Sequence, residues 1–293
     1  LKLNKVTMSK NNLVSVIIPV YNHEKYVVDS ITSVLNQSYS PVEILVLNDG
    51  STDRSHEEIS ELKKHHNFIY INKANEGLSK TLKRGLELCN GDYFAILASD
   101  DMWLETKLEE QIKYMNAHDS CVACCAQVNV IDELNNVTPG EIREKVEVFD
   151  FERIMTEGYK IPPATILIRR DKLTEANFRE DLKVEDLFLW LSVTVSGGTL
   201  DVLPQNLANY RIHSHNTTGN LALIAEYHHK TIDLFKNKKI YKRSKIEWSK
   251  FSFRQLTRKY KTDSLNFIFP DIRFFLSSSF LIGFIKLIFV WKK

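Results

Sequence analysis

Apolar positions in the first half of the chain alternate between two patterns. Residues 13–20 (LVSVIIPV) form a continuous apolar, β-branched run, as expected for a strand buried on both faces. Val27, Ile31, Val34 and Leu35 then recur at helical spacing. Residues 42–47 (VEILVL) repeat the strand signature, and Asp53 can cap a helix running through Ile59 and Leu62 to about Lys64. Residues 68–71 predict a short third strand, and Leu78, Leu82, Leu86 and Cys89 a further helical stripe. Residues 93–97 predict a fourth strand, and Leu108, Ile112 and Met115 another helix. Strict β-α alternation implies an α/β fold: a Rossmann-like, mostly parallel central sheet with right-handed crossovers and helices on both faces.

Beyond Val130 the alternation loosens. The stretch CVACCAQVNV reads as a buried strand, and Pro162 and Pro163 precede a predicted strand at 164–168. Glu185 and Asp186 lead into an apolar run, LFLWLSV, that predicts a helix. Residues 199–203 and 207–212 predict two short strands, and from Leu221 onward the chain reads as helical. The expected division is an α/β domain at 1–216 and a C-terminal helical region at 217–293.

Composition refines this picture. With 293 residues, 43% of them hydrophobic, the chain can bury one large domain with an appendage, or two modest domains, which excludes a disordered protein. Net charge is only +2, yet residues 230–261 hold twelve Lys or Arg against Asp233 and Glu247, leaving the remainder acidic. That asymmetry predicts a basic appendage facing an anionic surface. Cys89, Cys121, Cys124 and Cys125 lack a second ligand pair at zinc spacing and are expected to be buried, reduced thiols. Residues 1–12 are polar and show no apolar signal core, which makes the cytoplasm the expected compartment and Met8 a candidate start.

Ligands of parallel sheets bind beyond the carboxyl ends of the strands. The residues expected there are Tyr21 and Asn22, Asp49 and Gly50, Asn75 to Gly77, and Ser99 to Asp101. Asp49 can accept hydrogen bonds from a nucleobase imide or a ribose hydroxyl, or serve a turn and helix cap. Asp100 and Asp101 are adjacent carboxylates whose repulsion a divalent cation would relieve; a solvated turn is the alternative. Glu185 and Asp186 suit either a helix N-cap or a general base. His213 suits a phosphate or metal contact or a structural role. Lys73 and Lys80 flank the Gly77 loop, within reach of a diphosphate or of solvent.

Three blocks in order, VSVIIPVYNHEKYVVDSITSVLNQSY, VEILVLNDGSTDRS and NEGLSKTLKRGLELCNGDYFAILASDD, resemble the family 2 glycosyltransferases of the GT-A fold over about residues 13–215. The resemblance implies an inverting, metal-dependent transferase using a nucleotide-sugar donor, with a UDP-hexose or UDP-N-acetylhexosamine expected. Pro19, Tyr21 and Asn22 would line the nucleotide pocket, and Asp49 would contact the base. Asn75, Gly77, Lys80 and His213 would belong to the donor site. Asp100 and Asp101 fall on the D-x-D region that contacts the ribose and holds Mg2+ or Mn2+, Asp101 being the expected direct ligand. Asp186 of the later ED motif would be the catalytic base. Two departures stand out: Ala98 where many relatives have Asp, and Leu82-Lys83 where an Arg-Asn pair is common. The second leaves one donor contact missing, or replaced by Lys80 or Arg84.

Residues 274–291 (FFLSSSFLIGFIKLIFVW) are aromatic-rich and broken by Lys286, so they fit an interfacial helix better than a span. An anionic membrane surface and a lipid-linked glycan acceptor are therefore the expected partners, with the protein peripheral on the inner face of the cytoplasmic membrane. The resemblance implies surface polysaccharide assembly, such as O-antigen or capsule. A nucleotidyltransferase or a non-catalytic nucleotide-sugar-binding protein are the alternatives, and no base-reading module points to nucleic acid.

Overall fold

The computed structural model describes residues 12–214, 219–258 and 260–289. The candidate start at Met8, the expected domain cut at residue 216, and the last two residues of the 274–291 segment lie outside the described residues. The chain forms two compact units interleaved in sequence. The first comprises Leu1–Val148, Pro162–Phe178 and Thr199–Arg211; the second comprises Phe149–Ile161, Arg179–Gly198 and Ile212–Lys293. A single cut late in the chain, as the sequence suggested, differs from this division, because segments 149–161 and 179–198 cluster with the C-terminal helices.

The first unit is built on one sheet. Its strands are β1 (Val14–Val20), β2 (Val42–Asp49), β3 (Ile69–Lys73), β4 (Tyr93–Ile96), β5 (Met102–Trp103), β6 (Cys121–Ile131), β7 (Val137–Thr138), β8 (Glu147–Phe149), β9 (Leu167–Arg169) and β10 (Thr199–Arg211). The main path runs β3-β2-β1-β4-β9-β6-β10-β5. The half containing β1 to β4 is parallel, in register Val14↔Val42 and Val14↔Tyr93. Four helices intervene: α1 (Val27–Leu35), α2 (Ser55–Lys63), α3 (Leu78–Leu88) and α4 (Lys107–Ala117). Successive strand residues point to opposite faces. Val16 and Ile18 join the core containing Val27 and Ile31 of α1 and Leu108 and Ile112 of α4. Ile17, between them, meets Gly85 of α3, where an added Cβ would come within 2.7 Å of the Ile17 side chain. The residue order therefore puts helices on both faces, as the alternation predicted.

Two elements differ from the sequence reading. The strand expected at 164–168 begins only at Leu167, because Pro163–Thr165 form a 3-10 turn. Thr165 closes that turn onto β6 through its hydroxyl, which accepts from Ala126 N–H (2.7 Å) and donates to Ala126 O (3.0 Å). The two strands expected at 199–203 and 207–212 are one strand, β10, parallel to β6. Its register slips between Leu203 and Asn206, across Pro204, which has no N–H to give the ladder. β9 runs antiparallel between β4 and β6, so the sheet is mixed beyond β4. The four cysteines are buried and unpaired, as expected.

The second unit holds α5 (Phe151–Glu157), α6 (Asp186–Thr194), α7 (Leu221–Asp233), α8 (Tyr241–Leu256), α9 (Lys261–Leu265), α10 (Ile272–Phe275) and α11 (Ser278–Phe289). α8 is its centre. Trp248 is fully buried and donates its indole N–H to Met155 O of α5 (2.8 Å), and Phe253 packs edge-on against Phe274 of α10. Among the described residues, no helix is long and apolar enough to cross a membrane.

One buried cation in the first unit is out of place by ordinary rules. Lys107 opens α4 fully buried, its Nζ without a hydrogen-bond partner among the described residues and 3.5 Å from the Trp103 ring centre. Burial lowers its ammonium pKa to about 7, against which the nearby Cys124 and Cys125 act weakly. A lysine depressed in the folded state binds fewer protons there than in the unfolded chain between pH 7 and its ordinary range. Stability therefore gains from this site as pH rises through that window. Lys107→Met is expected to raise unfolding free energy by about 1–3 kcal/mol at neutral pH. The gap over the natural chain should narrow toward pH 10 in urea denaturation.

Candidate active site

The carboxyl ends of β1, β2, β3 and β4 are tied together by side chains lent from loop to loop. Asn22, in the left-handed region at φ 56°, donates its N–H to Ser51 Oγ (3.0 Å) and accepts from Thr52 N–H through Oδ1 (2.8 Å). His23 N–H donates to Ser55 Oγ, and Glu24 N–H to Asp53 Oδ2 (2.9 Å). Arg54 N–H returns a bond to Glu24 Oε2 (2.9 Å). Asp53 also accepts from Ser55 N–H at the start of α2, but the N-cap position itself falls on Arg54, which makes no side-chain cap bond, so Asp53 is not the cap the sequence suggested.

Asp49 joins β2 to the loop after β3. It accepts from Glu76 N–H and Gly77 N–H (both 2.9 Å) and from the Lys73 ammonium. Burial pushes its carboxyl up, but those bonds outweigh it and hold the group below the ordinary carboxylate range. Gly50 makes the apposition possible: at φ +69° an added Cβ would come within 2.6 Å of Asn75 N. Lys73 is thus engaged with Asp49, not left to reach a diphosphate. Pro19 stands in β1 opposite Leu47, while Tyr21, Asn75, Gly77 and Lys80 are exposed at this rim. Arg84 pairs with Glu87 on the surface of α3 (2.6 Å).

At the β1–β4 junction, where strand order reverses, His23 crosses to the acidic pair. Its Nδ1 lies 2.8 Å from Ser99 Oγ and its Nε2 4.0 Å from Asp100 Oδ2. That junction is where ligands of open α/β sheets bind. Behind the pair lies Arg211, the last residue of β10 and 1% exposed. Arg211 N–H donates to Asp101 Oδ1 (2.8 Å), while its guanidinium donates to Asp100 O (2.7 Å), Asp132 O (2.8 Å) and Asn135 Oδ1 (2.7 Å). It also covers the Tyr26 ring at 4.6 Å. Burial, then the charge of Asp100, push the Asp101 carboxyl well above the ordinary range. The backbone bond and the charge of Arg211 act the other way on Asp101, but burial and the charge of Asp100 outweigh them. A pair of hard oxygen ligands in which Asp101 is raised in this way fits a divalent cation, whose charge would favour the ionised form.

His23 and Arg211 are the two site residues the sequence reading missed. His23 follows the expected Tyr21-Asn22 directly, so its strand-end position was the available signal. Arg211 carried none, since a basic residue at a strand end reads as solvated.

The second unit carries Glu185, Asp186 and His213. Glu185 sits at the N-cap of α6 but makes no side-chain cap bond, and Asp186 is the first helical residue. The Asp186 carboxylate has no hydrogen-bond or ion-pair partner among the described residues. Burial raises both carboxyls, and the charge of Asp186 raises Glu185 further. The capping alternative therefore loses its main support.

A model of glycosyl transferase family 2 matches residues 15–175. The chain belongs to glycosyl transferase family 2. An uncharacterized glycosyltransferase of Rickettsia bellii is 34% identical over 211 residues, 70% of this chain and 29% of that protein. One from Haemophilus influenzae is 33% identical over 220 residues, 71% of this chain and 68% of that protein. TuaG of Bacillus subtilis, a glycosyltransferase provisionally assigned to teichuronic acid biosynthesis, is 28% identical over 71% of this chain and 82% of its own. Staphylococcus aureus TarS in complex with UDP-GlcNAc superposes with a TM-score of 0.66 at 18% identity, covering 87% of this chain and 79% of that one. The shared architecture is the GT-A fold. In this family member, Arg211→Met would strip Asp100 O and Asp132 O of their donors. Unfolding free energy should fall by about 2–4 kcal/mol, with Arg211→Lys recovering only part because one ammonium cannot reproduce the fork. Chemical denaturation of both variants checks this.

Proposed function

We propose that this family 2 transferase is inverting and metal-dependent. In this reading it moves a hexose or N-acetylhexosamine from a UDP donor to a lipid-linked saccharide in cell-surface polysaccharide assembly. It acts at the inner face of the cytoplasmic membrane. The observation that carries the proposal is Asp186: a carboxylate raised by burial, with neither a capping bond nor a partner among the described residues. The TarS complex with UDP-GlcNAc supports the donor class, and the naming of TuaG supports the polymer class.

In this mechanism the donor lies across the carboxyl edge, its nucleotide against Pro19, Tyr21, Asn22 and the loop that Asp49 holds, with Asn75, Gly77 and Lys80 along its rim. Asp100 and Asp101 hold Mn2+ or Mg2+. Bound there, the cation supplies neutralisation of the charge growing on the departing diphosphate. His213 contacts that diphosphate. Asp186 takes the proton of the acceptor hydroxyl as that oxygen bonds to the anomeric carbon and the carbon–oxygen bond to the diphosphate breaks. Attack opposite the leaving group inverts the anomeric centre, giving a β-linkage from an α-linked donor.

Asp186→Asn should lower kcat by about 10²–10⁴-fold while leaving the Kd for UDP within error. Because the Asp186 carboxyl is raised, the acid limb of the natural enzyme's kcat profile should lie above the ordinary aspartate range. Near-normal turnover by the variant defeats the assignment of the base. Asp101→Ala is expected to abolish Mn2+-dependent UDP binding in calorimetry. Titration curves superimposable on those of the natural chain would remove the cation from the proposal.

A further inference from the structure

α11 has an inner face that is fixed and an outer face that is exposed. Inward, Phe280 stacks on Phe253 of α8 at 5.5 Å between ring centres. A Cβ at Gly283 would come within 2.7 Å of the same ring, so only glycine lets α11 lie this close. Lys261 Nζ donates to Leu287 O (2.8 Å) near the helix end. Outward, Leu281, Phe284, Ile285 and Ile288 are between 42% and 59% exposed. Their spacing of three, four and seven residues puts them on one stripe. Ile272 and Phe275 of α10, and Leu276 just after it, are exposed as well. Single exposed apolar residues are ordinary, but six on two successive helices and a seventh between them mark an interaction face.

The same helix borders a cationic cleft. A cavity of about 460 Å³ is lined by Lys250 and Arg254 of α8 and Lys286 of α11, over the stacked rings of Tyr159 and Phe251 (4.2 Å). Glu247 also lines it, but is paired with Lys250 at 2.8 Å. Arg254 and Lys286 have no ion-pair partner among the described residues. The cleft therefore carries an excess of positive charge beside an apolar stripe.

We propose that α10 and α11 form a bilayer-docking face, with the cleft between α8 and α11 receiving the phosphate of an anionic phospholipid headgroup. The inference rests on the reading of the acceptor as lipid-linked, and deepens it by naming the surface that meets the bilayer. An apolar stripe flanked by basic side chains is the pattern of a helix lying in the interface plane, its apolar side among acyl chains and its cations at the phosphates. Charge also favours a bilayer over a second copy of the chain. Two copies meeting through this face would bring Arg254 and Lys286 of each toward those of the other, with the acid of the cleft, Glu247, already paired with Lys250.

The test is sedimentation of the full chain with phosphatidylcholine vesicles, with and without phosphatidylglycerol, in the absence of donor and acceptor. The natural chain should partition to phosphatidylglycerol-containing vesicles roughly tenfold or more over neutral ones. Arg254→Gln with Lys286→Gln should bring that partition down to the neutral level. Leu281→Asp with Ile285→Asp should abolish sedimentation with either vesicle. Both pairs are surface changes, and unaltered circular dichroism together with unaltered UDP affinity certifies the fold. A natural chain that stays in the supernatant, or binds both vesicles equally, overturns the proposal. So does a dimer in light scattering that Leu281→Asp with Ile285→Asp dissolves. Transfer to a detergent-dispersed acceptor is read separately, so loss of docking and loss of the catalytic reading are distinguishable.

Discussion

Two carboxylates side by side at the end of a buried strand are expensive, and the first unit is organised around that cost. Asp100 and Asp101 leave β4 where strand order reverses, with Asp101 almost wholly out of solvent. Water cannot offset their repulsion there, so it must be met by fixed groups or a bound cation. Arg211 comes from β10, 110 residues away along the chain, to bond the backbone that presents them. His23 reaches in from β1, and the bonds from Asn22 to Ser51 and Thr52 and from Asp49 to Gly77 continue the chain of contacts to β3. The parallel order β3-β2-β1-β4 matters because it brings four loop ends to one edge, close enough for such short side chains to span.

What the pattern of apolar residues made legible is what depends on local periodicity. β1 and β2 show as uninterrupted runs because both their faces are covered, and α1, α3 and α4 show through the spacing of their inward residues. The misreadings cluster at prolines. Pro204 splits the apparent signal of β10 although the strand continues past a register slip, and Pro163 starts a 3-10 turn where a strand was expected. A proline alters local hydrogen bonding without deciding whether the flanking chain still belongs to the sheet. Buried cations were illegible for another reason. Lys107 and Arg211 look like surface residues in any pattern, and only long-range packing takes them inside. The division into two units was hidden in the same way, since segments 149–161 and 179–198 join the C-terminal helices through contacts remote in sequence.

Site chemistry was legible as residue types at strand ends, and ambiguous as to role. The motifs offered five carboxylates, each with a structural and a chemical reading. What separates the readings is how each carboxylate's oxygens are used. Both oxygens of Asp53 are taken by N–H and O–H donors, and those bonds outweigh burial to hold its carboxyl low. Asp49 is engaged likewise by two backbone N–H groups and Lys73, so its work is to hold the Glu76–Gly77 loop in shape. A carboxylate so satisfied is a poor base, because any proton it accepts breaks bonds already made.

Asp101 stands midway on that scale. It has a backbone donor from Arg211, yet burial and Asp100 still push it up, leaving a net demand for positive charge. Asp186 stands at the far end, with burial as the cause of its shift and no donor to counter it. A half-buried acid without hydrogen bonds destabilises its own folded state, since it is partly desolvated and nothing compensates. A helix cap would have supplied compensation, and Glu185 and Asp186 at the start of α6 stand where one forms, but Glu185 makes no cap bond. The cost is recovered only when a proton or a donor hydroxyl arrives. In the proposed reaction an acceptor alcohol would meet that demand, and the unmet demand distinguishes Asp186 from Asp49 and Asp53 more sharply than the motif that first drew attention to it.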